Sequence, residues 1–347
     1  MSASLTVAVV GATGAVGREM LSTLASRDFP ASTCIALASA RSAGAVVPFK
    51  DGELPVRELT EHSFKGVDLA LFSAGGGTSE TFAPHAVKSG CVVVDNSSAW
   101  RMDERCPLVV PEVNPHALAC HKGIIANPNC STIQMVVALQ PLHKAAGITR
   151  IVVSTYQAVS GTGHKAVTEL ETQVRQMFNM TEPAVSVYPH RIAFNCLPQI
   201  DAFLDNGYTK EEMKMVMETA KIMEDPSIKV TATTVRVPVF YGHSESLNVE
   251  FARPLTAREA RAVLSVAPGV TVLDNPAEKI YPMPIHAAGE DNVFVGRIRQ
   301  DESRPNALNM WVVADNIRKG AALNAVQIAE QLLRDKLLRV PDPGAFA

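Results

Sequence analysis

The chain has 347 residues, of which 47% are hydrophobic and 19% charged, and its formal net charge is -3. This length exceeds what a single hydrophobic core usually organises, so two lobes are predicted. The near-neutral charge gives no electrostatic reason to expect nucleic acid or an anionic membrane as a partner, and a small-molecule ligand is favoured.

Targeting and cysteine patterns narrow the class further. No Lys or Arg precedes Arg18, and no apolar run reaches the roughly 20 residues of a membrane span, so a cytoplasmic protein is expected. The six cysteines are scattered without a CxxC pair. This pattern argues against a disulfide scaffold and against a structural zinc site, and no metal is predicted.

The first third of the chain alternates short apolar runs with helical patterns. "LTVAVV", "TCIALAS", "GVDLALF" and "GCVVVD" are continuous apolar runs, which is typical of parallel strands covered on both faces. A helical pattern follows the first run, and another lies between the last two. The predicted fold class is α/β, with an N-terminal doubly wound, Rossmann-like dinucleotide-binding domain.

After a helix predicted over 131–146, the patterning changes. Alternating apolar and polar residues predict strands over 150–161, 228–240, 246–254, 292–300 and 307–315, with helices over 165–178, 210–224 and 257–266. This indicates an α+β domain with a mixed or antiparallel sheet. The periodic helix near the C-terminus is expected to pack on the first lobe, which gives a discontinuous first domain of 1–130 with 316–347 and a second of 131–315.

The segment "VVGATGAVG" places three glycines between the first strand and the first helix. Glycines let the backbone approach a pyrophosphate, and a helix N-terminus stabilises its charge, although an ordinary tight turn is the alternative. The second strand ends in "ASARSAG", without the acidic residue that binds the ribose of NAD. Ser39, Arg41 and Ser42 could hold a 2′-phosphate, which favours NADP over NAD, unless Arg41 is simply a solvated surface residue.

Cys130 in "NPNCST" follows Asn129 and begins a long helical pattern. Unpaired N–H groups and the helix dipole favour a thiolate there, but from this segment alone a buried structural cysteine is the stronger interpretation. Arg236 and His243 in "RVPVFYGHS" add an anion clamp and a proton carrier. In a continuous strand a spacing of seven puts them on opposite faces, so one shared site requires a turn or bulge near 238–242.

"GATGAVG", "NSSAWR", "NPNCST", "QAVSGTG", "EExKxxxETxK", "RVPVxxGHS" and "ADNIRKGAA" occur in this order along the chain. With these motifs the sequence closely resembles the bacterial type of aspartate-semialdehyde dehydrogenase over essentially its whole length. The resemblance implies a discontinuous NADP-binding domain and a catalytic and dimerisation domain, which form a homodimer or homotetramer. It also implies reversible NADPH-dependent reductive dephosphorylation of 4-phospho-L-aspartate through a cysteine thioester, in lysine, threonine and methionine biosynthesis.

The resemblance also implies roles for individual residues. Cys130 would be the nucleophile and His243 the general acid/base, Gln157 would orient the reacting group, and Asn129 would stabilise the oxyanion or merely cap the helix. Substrate would be bound by Arg236 (carboxylate), Glu218 (ammonium), Arg101 and Lys221 (phosphate), and Ser160. Cofactor would be bound by Gly11, Thr13, Gly14, Ala15, Val16, Ser39, Arg41, Ser42, Ser73, Gly75, Gly161 and Asn316.

Other interpretations stay open at this stage. Without the resemblance, Glu218 and Lys221 would be a solvent-facing i,i+3 pair on a helix. N-acetyl-γ-glutamyl-phosphate reductase runs parallel chemistry, but its acetylated substrate gives no reason for an acid at Glu218. A non-catalytic NADP-binding relative is the alternative from another class. The presence of Cys130, Gln157, Arg236 and His243 together argues against it.

Overall fold

A computed structural model describes residues 5–346, which divide into two compact units. The first contains the chain up to Asn129 together with the segment from Ala321 onward, and the second runs from Cys130 to Gly320. Among the described residues, no helix has both the length and the apolar character needed to cross a membrane.

The first unit is built on a seven-stranded sheet of order β3-β4-β2-β1-β5-β6-β7. All neighbouring strands are parallel except the β3–β4 pair, which is antiparallel. The strands are β1 (Leu5–Val10), β2 (Ala31–Ala38), β3 (Val46–Phe49), β4 (Gly52–Glu58), β5 (Leu69–Phe72), β6 (Val92–Asp95) and β7 (Ile124–Ala126).

Helices cover both faces of this sheet, as its continuous apolar strands require. The helices are α1 (Ala15–Ser26), α2 (Gly76–Lys88) and α8 (Leu323–Arg334). Leu21 of α1 and Ile328 of α8 belong to one apolar cluster with β1 and β5, while Val87 of α2 belongs to the cluster on the other face. The C-terminal helix therefore packs within the first unit, although most of the intervening chain belongs to the second.

The second unit is built on a six-stranded mixed sheet of order β11-β12-β13-β10-β8-β9. The pairs β8–β9 and β11–β12 are parallel, and the other neighbours are antiparallel. Its strands are β8 (Ile148–Gln157), β9 (Lys229–Arg236), β10 (His243–Phe251), β11 (Val270–Val272), β12 (Val293–Gln300) and β13 (Ala307–Ala314).

The second unit also contains α3 (Cys130–Ala146), α4 (His164–Phe178), α5 (Lys210–Met223), α6 (Ala257–Ser265) and the single turn α7 (Pro284–Ala287). Thr209 begins α5 with a capping box, in which its hydroxyl accepts from the N–H of Glu212 and the Glu212 carboxylate accepts from the N–H of Thr209. The N-terminal end of α5 is thereby fixed, and the buried face of this helix packs on β9.

The α/β class and the doubly wound first domain are confirmed, and the second sheet is of the mixed kind. Three predicted boundaries were wrong, and one hairpin was missed. β8 ends at Gln157 rather than at residue 161, β9 ends at Arg236 rather than at residue 240, and β10 starts at His243 rather than at residue 246. The missed hairpin is that of β3 and β4. Each difference lies where polar or Pro residues interrupt the alternation on which the prediction depended.

Candidate active site

Three strand ends meet at one edge of the second sheet. Gln157 at the end of β8 pairs in register with Arg236 at the end of β9. On the other side of β8, Ser244 pairs with Tyr156, so His243 begins β10 beside the end of β8. Because side chains alternate between the faces of a sheet, Gln157, Arg236 and His243 share one face.

The connection between β9 and β10 supplies the turn that Arg236 and His243, seven residues apart, need in order to share one face. The strands lie on either side of β8, so the six residues from Val237 to Gly242 must cross the end of that strand. Gly242 accommodates the turn with φ +89°, and its N–H donates to Asn316 Oδ1 at 2.9 Å. Two residues seven apart in sequence thereby come to one face of the sheet.

His243 is completely buried, and its ring is held in one orientation. The N–H of Ala158 donates to its Nδ1 at 3.0 Å, while Nε2 has no hydrogen-bond partner within the described chain. Burial, with a contribution from Arg236, places the pKa of His243 well below its ordinary value. A neutral ring that accepts at Nδ1 carries its proton on Nε2, so the unsatisfied atom is a hydrogen-bond donor.

Arg236 is a buried cation without a counter-ion among the described residues. It is only 5% exposed, its Nη1 donates to the carbonyl of Ala158 at 2.7 Å, and its Nε has no partner. Within residues 5–346 no acidic side chain pairs with it. A Cβ on Gly161 would lie 3.1 Å from Arg236 Nη1 and 3.2 Å from His243 Nε2, so both groups converge on this glycine and a side chain here would crowd them.

Cys130 is the first residue of α3, is half-buried and forms no disulfide. Its side chain therefore lies where a helix has unpaired N–H groups and the positive end of its dipole. Gln134, one turn further along the same helix face, donates from Nε2 to the main-chain carbonyl of His243 at 3.4 Å. The start of α3 and the start of β10 are thus adjacent.

Gln157 is held by a network that the sequence did not indicate. Its Nε2 donates to Thr155 Oγ1 and to Glu211 Oε1, each at 3.3 Å. Glu211 in turn pairs with Lys214 at 3.2 Å. Glu211 lies 54 residues from Gln157, so only the packing of α5 on the sheet could reveal this contact.

Glu218 is 1% exposed, whereas Lys221 is half-buried. The alternative interpretation of these residues as a solvent-facing pair is therefore wrong, because the acid lies on the buried face of α5. Ser160 and Asn316 are buried against each other, with Asn316 Nδ2 donating to Ser160 Oγ at 3.0 Å. Asn316 therefore bonds to both the segment of Ser160 and the segment of Gly242, beside the site.

The predicted cofactor residues of the first unit lie at the carboxyl ends of β1, β2 and β5, which are neighbours in the sheet. Gly11 has φ +83°, and a Cβ there would lie 2.4 Å from the carbonyl oxygen of Ser73, so only glycine permits this approach of two loops. Gly14 precedes α1 without a side-chain cap, which leaves no competing side chain at the helix N-terminus. This arrangement suits a diphosphate. The other residues at this edge are Thr13, Ala15, Val16 and Gly75.

Ser39 directly follows β2 and precedes a short 3-10 turn, which contains Arg41 and Ser42. Arg41 is exposed and Ser42 is half-exposed, so both can reach a ligand. Arg101 is buried in the first unit, where Nε donates to the carbonyl of Asn127 and Nη2 to that of Asn96, each at 3.0 Å. Asn129, also buried, directly precedes Cys130.

None of the six cysteines forms a disulfide, and no group of three or more His, Cys, Asp or Glu among the described residues is placed to hold a metal ion. Sequence reasoning missed the buried acids Glu211 and Glu245. For Glu245 a signal existed, because it lies two residues after His243 and so on the same inward face of a strand.

Comparisons with known proteins agree with these observations. Residues 6–121 match the family model described as "Semialdehyde dehydrogenase, NAD binding domain", and residues 139–319 match "Semialdehyde dehydrogenase, dimerisation domain". A crystal structure of aspartate semialdehyde dehydrogenase II from Vibrio cholerae, complexed with ASA, superposes with a TM-score of 0.94 at 50% identity, covering 96% of this chain and 99% of that one.

Two further proteins extend the comparison. The aspartate-semialdehyde dehydrogenase of Legionella pneumophila is 60% identical over 346 residues, which is 99% of this chain and 100% of that protein. The enzyme of Candida albicans, crystallised with NADP, is 27% identical with a TM-score of 0.75 and covers 96% of this chain and 99% of that one. A nucleotide-binding first domain, a dimerisation domain and full-length similarity at this level establish that the chain belongs to the aspartate-semialdehyde dehydrogenase family of oxidoreductases.

Proposed function

We propose that the chain catalyses the reversible, NADPH-dependent reductive dephosphorylation of 4-phospho-L-aspartate to L-aspartate 4-semialdehyde, in the cytoplasm and in the biosynthesis of lysine, threonine and methionine. The observation that carries this proposal is the convergence on Gly161 of a buried guanidinium, which has no counter-ion among the described residues, and an unsatisfied imidazole donor. The relative from Vibrio cholerae, whose structure holds ASA, supports the choice of substrate.

The substrate is small and densely charged, and each of its charges has a candidate partner. Arg236 would bind the carboxylate, because its Nε has no partner and, with the adjacent Nη2, forms the fork that suits a bidentate anion. Glu218, on the buried face of α5, would bind the ammonium group. Arg101 and Lys221 would bind the phosphate. Ser160 stays a candidate substrate contact, although its hydroxyl is engaged with Asn316.

Cys130 would act as a thiolate that attacks the acyl carbon of the substrate and expels phosphate, leaving a thioester on sulfur. When bound, NADPH supplies the hydride that reduces this carbon. The resulting thiohemiacetal oxyanion collapses to the aldehyde and regenerates the thiolate of Cys130. The carbon gains only the hydride. The one proton that the net reaction consumes comes from solvent and is taken up by the expelled phosphate, which leaves as hydrogen phosphate.

His243 would stabilise the oxyanion formed at that carbon, together with Asn129, by donating from Nε2. The contact from Ala158 to Nδ1 and the lowered pKa of His243 both support a neutral ring in this role. Where the thiohemiacetal is protonated, as when the reaction starts from free aldehyde, the same ring would be the general acid/base, which requires Nε2 without its proton and so a different tautomer from the one that the Ala158 contact selects. Gln157, braced by Glu211, would orient the reacting group.

The first domain would bind NADP through Gly11, Thr13, Gly14, Ala15, Val16, Ser73 and Gly75 at the diphosphate, and through Ser39, Arg41 and Ser42 at the 2′-phosphate. An exposed cation directly after β2, in place of an acid, supports NADP over NAD. Gly161 and Asn316 would lie near the nicotinamide. In domain terms, 1–130 with 316–347 would bind the cofactor, and 131–315 would carry catalysis and dimerisation.

We infer a homodimer or homotetramer in which the second sheet supplies the interface. The family model names a dimerisation domain over most of this unit. Helix α3 packs on the face that carries His243, and the opposite face presents the contacting rings of Tyr156 and Trp311, of which Tyr156 is exposed. Size-exclusion chromatography with light scattering would test this, and a monomer at micromolar concentration would contradict it.

The test of function is nicotinamide absorbance on mixing the purified chain with L-aspartate 4-semialdehyde and NADP, with and without phosphate. Phosphate-dependent formation of NADPH is the expected result. Activity only with N-acetylglutamate semialdehyde would keep the thioester chemistry and overturn the substrate, and no activity with either aldehyde would favour a non-catalytic relative.

A further inference from the structure

A buried acid lies beneath the site and has no role in the chemistry described so far. Glu245 is 0% exposed on β10, where it pairs in register with Val312 of β13 and Thr155 of β8. It lies two residues after His243, on the strand face that packs against α3. Gln134 of α3, four residues after Cys130, is also buried there.

Glu245 and Gln134 carry hydrogen-bond acceptors that have no donor within the described chain. Gln134 Nε2 donates to the carbonyl of His243 at 3.4 Å, which turns Oε1 of the same amide away from that carbonyl. Gln134 Oε1 and both carboxyl oxygens of Glu245 have no partner within the described chain. Buried acceptors without donors are costly, and a proton on the Glu245 carboxyl would supply a donor to Gln134 Oε1 and remove the buried charge.

Among the described residues, no positive charge contributes to the pKa of Glu245. On its own strand and face the neighbour is His243, whose pKa is lowered, and α3 presents Cys130 and Gln134. β8 presents Thr155 and Gln157, and β13 presents the apolar residues Met310, Val312 and Ala314. Arg236 lies one strand further away, on β9. Burial raises the pKa of Glu245 well above its ordinary value, and only the contact with Gln134 opposes this.

We propose that Glu245 is a positioning residue that acts as a neutral carboxylic acid, donating its O–H to Gln134 Oε1 while the amide of Gln134 donates to the carbonyl of His243. The chain of two hydrogen bonds joins the helix that begins with Cys130 to the strand that begins with His243. It thereby fixes the separation of these two residues. The inference rests on the proposed roles of Cys130 and His243.

The first test compares Glu245→Gln with Glu245→Leu in the full-length protein. The Gln side chain can donate to Gln134 without carrying charge, so it should restore the kcat that Leu lowers by about 10- to 100-fold with little change in KM. Wild-type kcat should also fall at alkaline pH as Glu245 ionises, and kcat of Glu245→Gln should not. A wild-type kcat in Glu245→Leu, or equal losses in both variants, would overturn the positioning role.

The second test measures unfolding by urea between pH 5 and pH 9 and needs no turnover, so it distinguishes failure of this inference from failure of the proposed function. A folded-state pKa above the unfolded value means that stability is present at low pH and is lost as pH rises. The ratio of the unfolding constants of wild type and Glu245→Gln should therefore rise about tenfold per pH unit above the ordinary pKa of Glu. A ratio that is independent of pH would overturn the neutral acid.

Glu250→Gln is the matched control, because Glu250 lies on the same strand and pairs with Arg150 and Arg304, each at 2.9 Å. These partners outweigh its desolvation and hold the pKa of Glu250 below its ordinary value. Its stability contribution is therefore present above the ordinary pKa and lost toward acid pH, which is the opposite sign to that of Glu245. Kinetic constants of Glu250→Gln should match the wild type.

Discussion

Replacing Arg236 by Leu should separate activity from stability in an unusual way. The guanidinium is 5% exposed and has one hydrogen bond, from Nη1 to the carbonyl of Ala158, with no counter-ion among the described residues. Without substrate, an unpaired buried cation is unfavourable, so its removal should leave the free energy of unfolding unchanged or higher. With substrate, the carboxylate would be desolvated without a partner, which costs about 2 to 4 kcal/mol of transition-state binding, or about 30- to 900-fold in kcat/KM.

The assay is steady-state NADPH formation from L-aspartate 4-semialdehyde, run beside thermal unfolding of the same preparations. Arg261→Leu is the matched control, because Arg261 lies in the same unit and pairs with Asp274 at 2.6 Å. That change should lower stability and leave kcat/KM near the wild-type value. An unaltered kcat/KM in Arg236→Leu, or a loss accompanied by destabilisation as large as that of the control, would refute the assignment of Arg236 as the carboxylate clamp.

Three further changes test the other parts of the proposal. Cys130→Ala should abolish turnover while NADPH binding, measured by fluorescence titration, stays intact; near-normal turnover would exclude a covalent intermediate. His243→Asn should slow turnover by about a hundredfold or more. Because the pKa of His243 is lowered, wild-type stability is present above the ordinary His pKa and is lost below it, by up to about 1.4 kcal/mol per pH unit, and His243→Asn should lack this loss in unfolding experiments between pH 7 and pH 5. Arg41→Ala should raise KM for NADP but not for NAD, and equal changes would argue against a 2′-phosphate contact.

Much of the fold could be predicted from sequence because its signals are local. The continuous apolar runs of β1, β5 and β6 and the glycine turn at Gly11 follow from short segments whose burial on both faces leaves few alternatives. The hairpin of β3 and β4 was missed, since β4 contains Pro55 and is largely exposed, and so lacks an apolar pattern. Strands at the edge of a sheet, such as β3, or next to it, such as β4, depend on their neighbours in the sheet more than on their own residues.

The candidate site was less accessible to sequence reasoning, because its contacts join distant segments. The spacing of Arg236 and His243 required a break between them, and the sequence contained Pro238 and Gly242 to provide it. The packing of α5 on the sheet determines the contact of Gln157 with Glu211 and the buried position of Glu218. The position of residue 158 determines the Nδ1 contact of His243. No local pattern encodes them, and Glu218 without its environment looks like an exposed helical acid.

The register of the second sheet connects these observations. β8 lies between β9 and β10, and the connection from Val237 to Gly242 crosses its end, where Val159 N–H donates to the carbonyl of Val239 at 2.9 Å and Ser160 N–H to that of Phe240 at 3.2 Å. These bonds hold Gly161 against Arg236 and His243. A slip of one residue in β10 would turn His243 and Glu245 to the opposite face and would remove the contact with Gln134 together with the imidazole donor. The proposed neutral acid and the imidazole donor therefore depend on the same strand register, so a variant that loosens β10 should lose oxyanion stabilisation and nucleophile alignment together.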